Sequence, residues 1–216
     1  MNLENYKKII QERFPIDPKN LPYYIVYDDF LPAHEFGNLK SYLSSEFPWG
    51  IANKLNYDDQ NPYLVRKIYD VENRAREEWT AGVDEMPFIA ITSRIGMVAM
   101  LRLKANMYLN SRVHDIHYPH IDYQFPHQGA LFYLDDCDAP TYMSDGVGIE
   151  SKQNRLLLFN ASTAHSSSAP TDKSYRQTIN INYFGGGIRN DYLRLIKDPT
   201  VVSEHVPFTI KPDGRT

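Results

Sequence analysis

Apolar and polar positions along this chain follow two different periods, and the change falls near residue 100. Before it the spacing is mostly helical. Residues 4–13 place Tyr6, Ile9 and Ile10 on one side of a short amphipathic helix. Pro32 stands at the start of a second helix, with Phe36, Leu39, Leu43 and Phe47 following at steps of three and four. The charged segment from Leu64 to Trp79 reads as a third helix, and residues 86–97, with Pro87 in the first turn, as a fourth. After residue 100 the period drops to two. In LRLKANMYL, Leu101, Leu103, Ala105, Met107 and Leu109 share one face, and Arg102, Lys104, Asn106 and Tyr108 the other. ALFYL (130–134) and RLLLF (155–159) are short apolar strands, and Asp145-Gly146 marks a hairpin turn between them. SYRQTININYF (174–184) alternates again, and the glycines at 185–187 are expected to end it.

Helices followed by closely spaced short strands predict a mainly β fold with a helical flank: a double-stranded β-helix, or jelly roll, supported by N-terminal helices. The expected organisation is one domain over 1–216. Residues 1–98 would form mostly helical support, 99–186 the jelly-roll core and 187–216 a C-terminal extension. The last long strand has Arg176, Thr178, Asn180 and Asn182 on one face and Gln177, Ile179, Ile181 and Tyr183 on the other. A polar face can simply meet water. Here its apolar counterpart is well filled and LRLKANMYL repeats the pattern, which favours a polar cavity inside a barrel.

Composition narrows the class. An apolar fraction of 42% supports a sizeable core, so disorder is not expected. A net charge of −4 offers no general attraction to nucleic acid or anionic membrane. Cys137 is the only cysteine, which rules out an intrachain disulfide and a cysteine-rich zinc or iron–sulfur site. Its neighbours Asp136 and Asp138 disfavour a nucleophilic thiolate. The first fourteen residues do not read as a signal peptide, and no apolar run is long enough to span a bilayer. A cytoplasmic location is the expectation.

The candidate chemistry lies in HDIHYPHID, residues 114–122. A helical zinc site needs histidines four apart, but His114, His117 and His120 are spaced by three and Pro119 intervenes. In an extended chain His120 and Asp122 leave the same face, as two members of a 2-His-1-carboxylate triad would. His165 follows the RLLLF strand 43 residues after Asp122, and Arg176 comes eleven residues later, followed by Thr178. His114 and His117 are expected on the loop leading into such a site and His127 on the loop leaving it, all three solvated. YQFPHQG (123–129) is a candidate substrate loop because it follows the first two ligands directly.

H-x-D, a distal H and then R-x-[S/T] resembles the Fe(II)/2-oxoglutarate-dependent dioxygenases, across residues 101–184. The style is similar to the prolyl 4-hydroxylase-like branch, and within it to small hydroxylases of bacteriophage and marine bacterial genomes. KANMY, HID, SDG, NRLLLF and INYF carry that likeness. The resemblance implies Fe(II) held by His120, Asp122 and His165. It implies 2-oxoglutarate anchored by Arg176, with Tyr108, Thr178 and Asn106 assisting. It further implies O2 as co-substrate, ascorbate as a sustaining reductant, and hydroxylation of a C–H bond in peptidyl proline, another amino-acid residue or a small molecule. Aspartate at 122, where halogenases carry a small residue, points to hydroxylation. Tyr108 lies twelve residues before His120, farther than the family's usual spacing, so the loop between them must be longer. A phage source would make the compartment the host cytoplasm. Two other classes stay open: a cupin-like metal enzyme that uses no 2-oxoglutarate, and a non-catalytic jelly-roll binding module. The primary substrate and the oligomeric state are not legible.

Overall fold

The computed structural model describes residues 1–45, 47–53, 62–73 and 86–206. In chain order the elements are α1 (Leu3–Arg13), β1 (Tyr24–Tyr27), α2 (Ala33–Ser45), β2 (Gly50–Ala52), β3 (Tyr63–Asp70), α3 (Met86–Thr92), β4 (Ile95–Leu109), β5 (Asp115–Ile116) and β6 (Gln128–Tyr133). They continue with β7 (Cys137–Met143), β8 (Gly148–Ser151), β9 (Arg155–Asn160), β10 (His165–Ser166), β11 (Ser168–Ala169), β12 (Tyr175–Ile188), α4 (Asn190–Leu193) and β13 (Val201–Val202). Eight strands form the major sheet in the order β13-β1-β9-β6-β12-β4-β3-β2. Opposite it lie a three-stranded sheet, β10-β7-β8, and the pair β11-β5, giving the two walls of a jelly roll. The expected hairpin is β7–β8, with Gly146 at φ +83° in its turn.

Alternation in the two longest strands decides where the core sits. Leu103, Ala105, Ile179 and Ile181 point outward and pack with Phe132, Leu156 and Leu158 against Leu39, Leu43 and Phe47 of the α2 region and Phe88 and Ile91 of α3. The helices therefore cover the outer face of the major sheet, burying the apolar half of each strand. Helix α1 sits elsewhere: the Tyr6 hydroxyl donates to the backbone carbonyls of Tyr142 (3.2 Å) and Met143 (3.0 Å) on the minor sheet. Between the walls lies a second apolar cluster of Leu131, Leu157, Phe159, Met143 and Ile149. Beside it, on the same inner face, run the polar residues of β4 and β12.

Three local expectations are corrected. Residues 63–70 form a strand, not a helix: YLVRKIYD is rich in aromatic and β-branched residues, and it pairs with β4 from Leu64↔Met107 to Asp70↔Arg102. The part of that segment from 74 to 79 lies outside the described residues. The first 98 residues also supply β1, β2 and β3 of the major sheet. Helix α3 stops at Thr92, where Thr92 and Ser93 bond back to Phe88 and Ile89 carbonyls, and Ile95 already begins β4. The glycines at 185–187 do not end β12. Gly185 pairs with Met97 and Ile188 with Ile95 through shifted register. A Cβ on Gly185 would lie 2.0 Å from the Gly96 carbonyl oxygen, so glycine is what lets the two backbones stay paired there. Gly185→Ala is therefore expected to destabilise the fold by about 1–3 kcal/mol, whereas Gly186→Ala, with nothing within 4 Å of the added methyl, should leave the urea midpoint nearly unchanged. Equal midpoints for the two variants would refute the close-approach account.

Candidate metal and co-substrate site

His120 and His165 face each other across a two-residue antiparallel bridge, with His120 N to His165 O and His165 N to His120 O both at 3.0 Å. Asp122 lies in a bend just beyond, its N–H donating to the Ala161 carbonyl at 3.3 Å. This places the third residue of H-x-D on the same side as the first without a continuous strand. Asp122 Oδ1 is 3.8 Å from His120 Nε2, and Asp122 Oδ2 is 3.7 Å from His165 Nε2. One donor atom from each residue lies within 4.8 Å of the others, a set able to hold a metal ion. The three residues proposed from the sequence are thus brought together by the fold.

Their surroundings suit ligation. His165 Nδ1 is 3.0 Å from the Thr163 carbonyl, which fixes the proton on Nδ1 and leaves the Nε2 lone pair facing Asp122. Burial opposes imidazolium formation at both histidines, pushing His120 down to about 3 and lowering His165. Burial works the other way on Asp122, but the positive charge around it, Arg102 foremost, outweighs burial and holds the carboxyl well below its ordinary range. The aspartate is therefore anionic and the imidazoles neutral, the states a divalent metal needs. Arg102 Nη2 donates to Asp122 Oδ1 at 2.5 Å and Asn182 Nδ2 to Oδ2 at 2.8 Å. Asn182 Nδ2 also lies 3.2 Å from His127 Nε2, while His127 Nδ1 lies 2.9 Å from the Phe125 carbonyl. A chain of bonds thus runs from the carboxylate to the 123–129 segment.

The second group converges at the other end of the same inner face. Register places Arg176 opposite Tyr108 and Thr178 opposite Asn106. Arg176 is fully buried. Its Nη2 donates to Thr141 Oγ1 (2.6 Å), Nη1 to the Ser168 carbonyl (3.3 Å) and Nε to Ser151 Oγ (3.4 Å), all neutral acceptors. Its guanidinium also lies beside the Tyr108 and Tyr133 rings, 5.5 and 5.3 Å from their centroids. Among the described residues no carboxylate is within ion-pair distance of it. A guanidinium has five N–H donors, and three are engaged. Nearby, Asn106 Oδ1, Thr178 Oγ1 and Asn180 Oδ1 are buried without partners. Lys104, Asn106, Tyr108, Thr178, Asn180 and Arg176 line one cavity with His120 and His165. Its free volume is about 30 Å³ in this conformation.

The flanking histidines divide. His114 is exposed, 3.5 Å from Asp138. His117 and His127 are buried, contrary to expectation: His117 Nδ1 bonds Ser167 Oγ at 2.8 Å and its ring lies beside Tyr108, while His127 supports Asn182. The 123–129 segment carries Phe125 stacked between Tyr123 and Phe184, with Phe125 and Phe184 exposed. It borders a separate, larger cleft of about 500 Å³ lined by Pro126, His127 and Phe184 together with Asn20 and Tyr23. Sequence reasoning put Arg102 and Asn182 on the polar face but assigned them no task, and it missed Thr141, Ser151 and Thr163. No motif marks those residues; only the register and the turn geometry reveal their partners. Asn182→Ala keeps every ligand and removes one support of Asp122, so divalent metal affinity, measured by cobalt titration, should fall about 10- to 100-fold. An unchanged affinity would mean that Asn182 does not orient the carboxylate.

No family model matches the sequence. A search of curated proteins also returns no match. Solved structures do match in shape. One is an oxidoreductase of the 2OG-Fe(II) oxygenase family from Burkholderia pseudomallei, at TM-score 0.50 and 12% identity, covering 87% of this chain and 93% of that one. Another is the non-heme alpha ketoglutarate dependent carbocyclase SnoK from nogalamycin biosynthesis, at TM-score 0.51 and 10% identity, covering 95% of this chain and 97% of that one. This chain shares its fold with both of these structures.

Proposed function

We propose that this protein is an Fe(II)- and 2-oxoglutarate-dependent dioxygenase that couples oxidative decarboxylation of the oxo acid to hydroxylation of a C–H bond. The observation that carries the reading is Arg176: a fully buried cation with spare N–H donors and no carboxylate partner among the described residues, in the cavity that the two histidines line. Leaving such a charge without an anion is costly. A bidentate carboxylate fits its fork where a lone lysine contact would not.

The residues divide the work. His120, Asp122 and His165 would hold the iron, a donor set that suits Fe(II) and leaves positions free. Arg176 would hold the far carboxylate of 2-oxoglutarate, with Thr178, Asn106 and Tyr108 orienting it. When bound, the iron and the oxo acid supply the O2 chemistry, and the protein orients the reactants and excludes water. Ascorbate would act as an external reductant. The aromatic shelf of Tyr123, Phe125 and Phe184 is where a primary substrate would approach, with peptidyl proline and free amino acids the first classes to screen. A cupin-like enzyme without 2-oxoglutarate would have no use for Arg176 in this position.

Anaerobic Fe(II) protein should develop a visible charge-transfer band on addition of 2-oxoglutarate. Arg176→Ala should weaken that titration strongly while retaining metal. His165→Ala and Asp122→Ala should lose metal instead. Metal retention in both ligand variants would refute the triad, and unchanged 2-oxoglutarate affinity in Arg176→Ala would refute the anchor.

A further inference from the structure

Lys104 is the one long cation of the cavity that these roles leave unused. It stands on the inner face of β4, paired with Asn180 of β12 on one side and Lys67 of β3 on the other. Two residues before it, Arg102 touches Asp122; four residues after it, Tyr108 lies opposite Arg176. At roughly 6.8 Å per two-residue step, Lys104 is one step from the row that supports the metal ligands and two from the row of Arg176. It lines the cavity together with His120, His165 and Arg176.

Its ammonium makes no hydrogen bond or ion pair with the described residues. The two acids that act on it are both engaged elsewhere. Arg102 and Asn182 each hold one oxygen of Asp122, and Lys67 bonds Asp70 at 2.6 Å. Burial, reinforced by the positive charge of Arg102, pulls Lys104 down to about 7. Packing does not require a lysine here, because Leu103 and Ala105 on the opposite face make the contacts with the helical layer. What the position lacks is an anion near the metal end of the cavity.

We propose that Lys104 is a second carboxylate anchor, binding the metal-end carboxylate of the 2-oxo acid while Arg176 holds the far one. This rests on the co-substrate reading above and deepens it. The cavity then has a cation for each end of a dicarboxylate and neutral polar groups, Asn106, Thr178 and Asn180, between them. Its length of polar lining selects a dianion over a simple 2-oxo monoacid.

The test titrates 2-oxoglutarate and 2-oxobutyrate, which keeps the oxo acid end and lacks the far carboxylate, into cobalt-loaded protein by calorimetry. Lys104→Met should bind both acids about 10- to 100-fold more weakly than wild type and keep the ratio between them. Arg176→Ala should instead collapse that ratio. Lys104→Arg, which keeps the charge, should recover part of the loss, and cobalt stoichiometry and melting temperature of the variants report that the site is intact. If Lys104→Met binds both acids as wild type does, the anchor is overturned, and Lys104 then faces the primary substrate or nothing. A loss confined to 2-oxoglutarate also overturns it, because that places Lys104 at the far carboxylate. Wild-type protein that binds neither acid overturns the co-substrate reading itself, an outcome visible before any variant is made.

Discussion

The antiparallel pairing of β4 with β12 is the constraint on which the rest depends. Each strand alternates between apolar and polar residues, and the pairing keeps the two alternations in phase over Arg102–Tyr108 and Arg176–Asn182. The apolar set needs α2 and α3 on one side. The polar set then has nowhere to go but the space between the two walls. A one-residue slip of β12 would turn Arg176 toward the helices and Ile179 into the cavity. The register is therefore fixed by burial, and the same register aligns Asp122's supports at one end with the guanidinium of Arg176 at the other.

Within that space, burial and charge pull in opposite directions, and the outcome differs residue by residue. Desolvation alone would neutralise both acid and bases. At His120 and His165 it prevails, so the imidazoles keep their lone pairs. At Asp122 it loses to surrounding positive charge, and the carboxylate stays ionised. A set of ligands ready for a cation thus exists without any proton having to leave first. Arg102 has a double effect, because the charge that keeps Asp122 anionic also repels an incoming metal. Asn182, which holds the other oxygen without a charge, orients the carboxylate with no such opposition.

The spacing of a few residues made much of this legible. His120, Asp122, His165 and Arg176 could be picked out because each belongs to an ordered pattern, and the polar faces of β4 and β12 announced a lined interior. The failures have physical reasons too. YLVRKIYD reads as charged, and its strand identity comes from pairing with β4, whose partner residues lie 32 to 43 residues downstream. The glycines after Phe184 look like a terminator until Gly96 is seen against Gly185. His117 and His127 do lie on loops, but each is buried against a partner distant in the chain, Ser167 and Asn182. Partners such as Thr141 for Arg176 carry no signature, because any small hydroxyl at that place would serve.

The charge balance of the cavity ties its two proposed ligands together. Arg102, Lys104 and Arg176 face an interior in which, among the described residues, the acids acting on Arg102 and Lys104 are Asp122 and Asp70; Arg102 and Asn182 already hold the oxygens of Asp122, and Lys67 bonds Asp70. A divalent cation arriving alone would add to an excess of positive charge in a medium that screens poorly. A dianion arriving with it, one carboxylate toward the metal and one toward Arg176, removes that excess at both ends. Each ligand then improves the other's binding by the same factor, as linkage requires. On the proposed reading, the spare cations would couple metal binding to binding of the dianion, and the fold would need no moving part to achieve it.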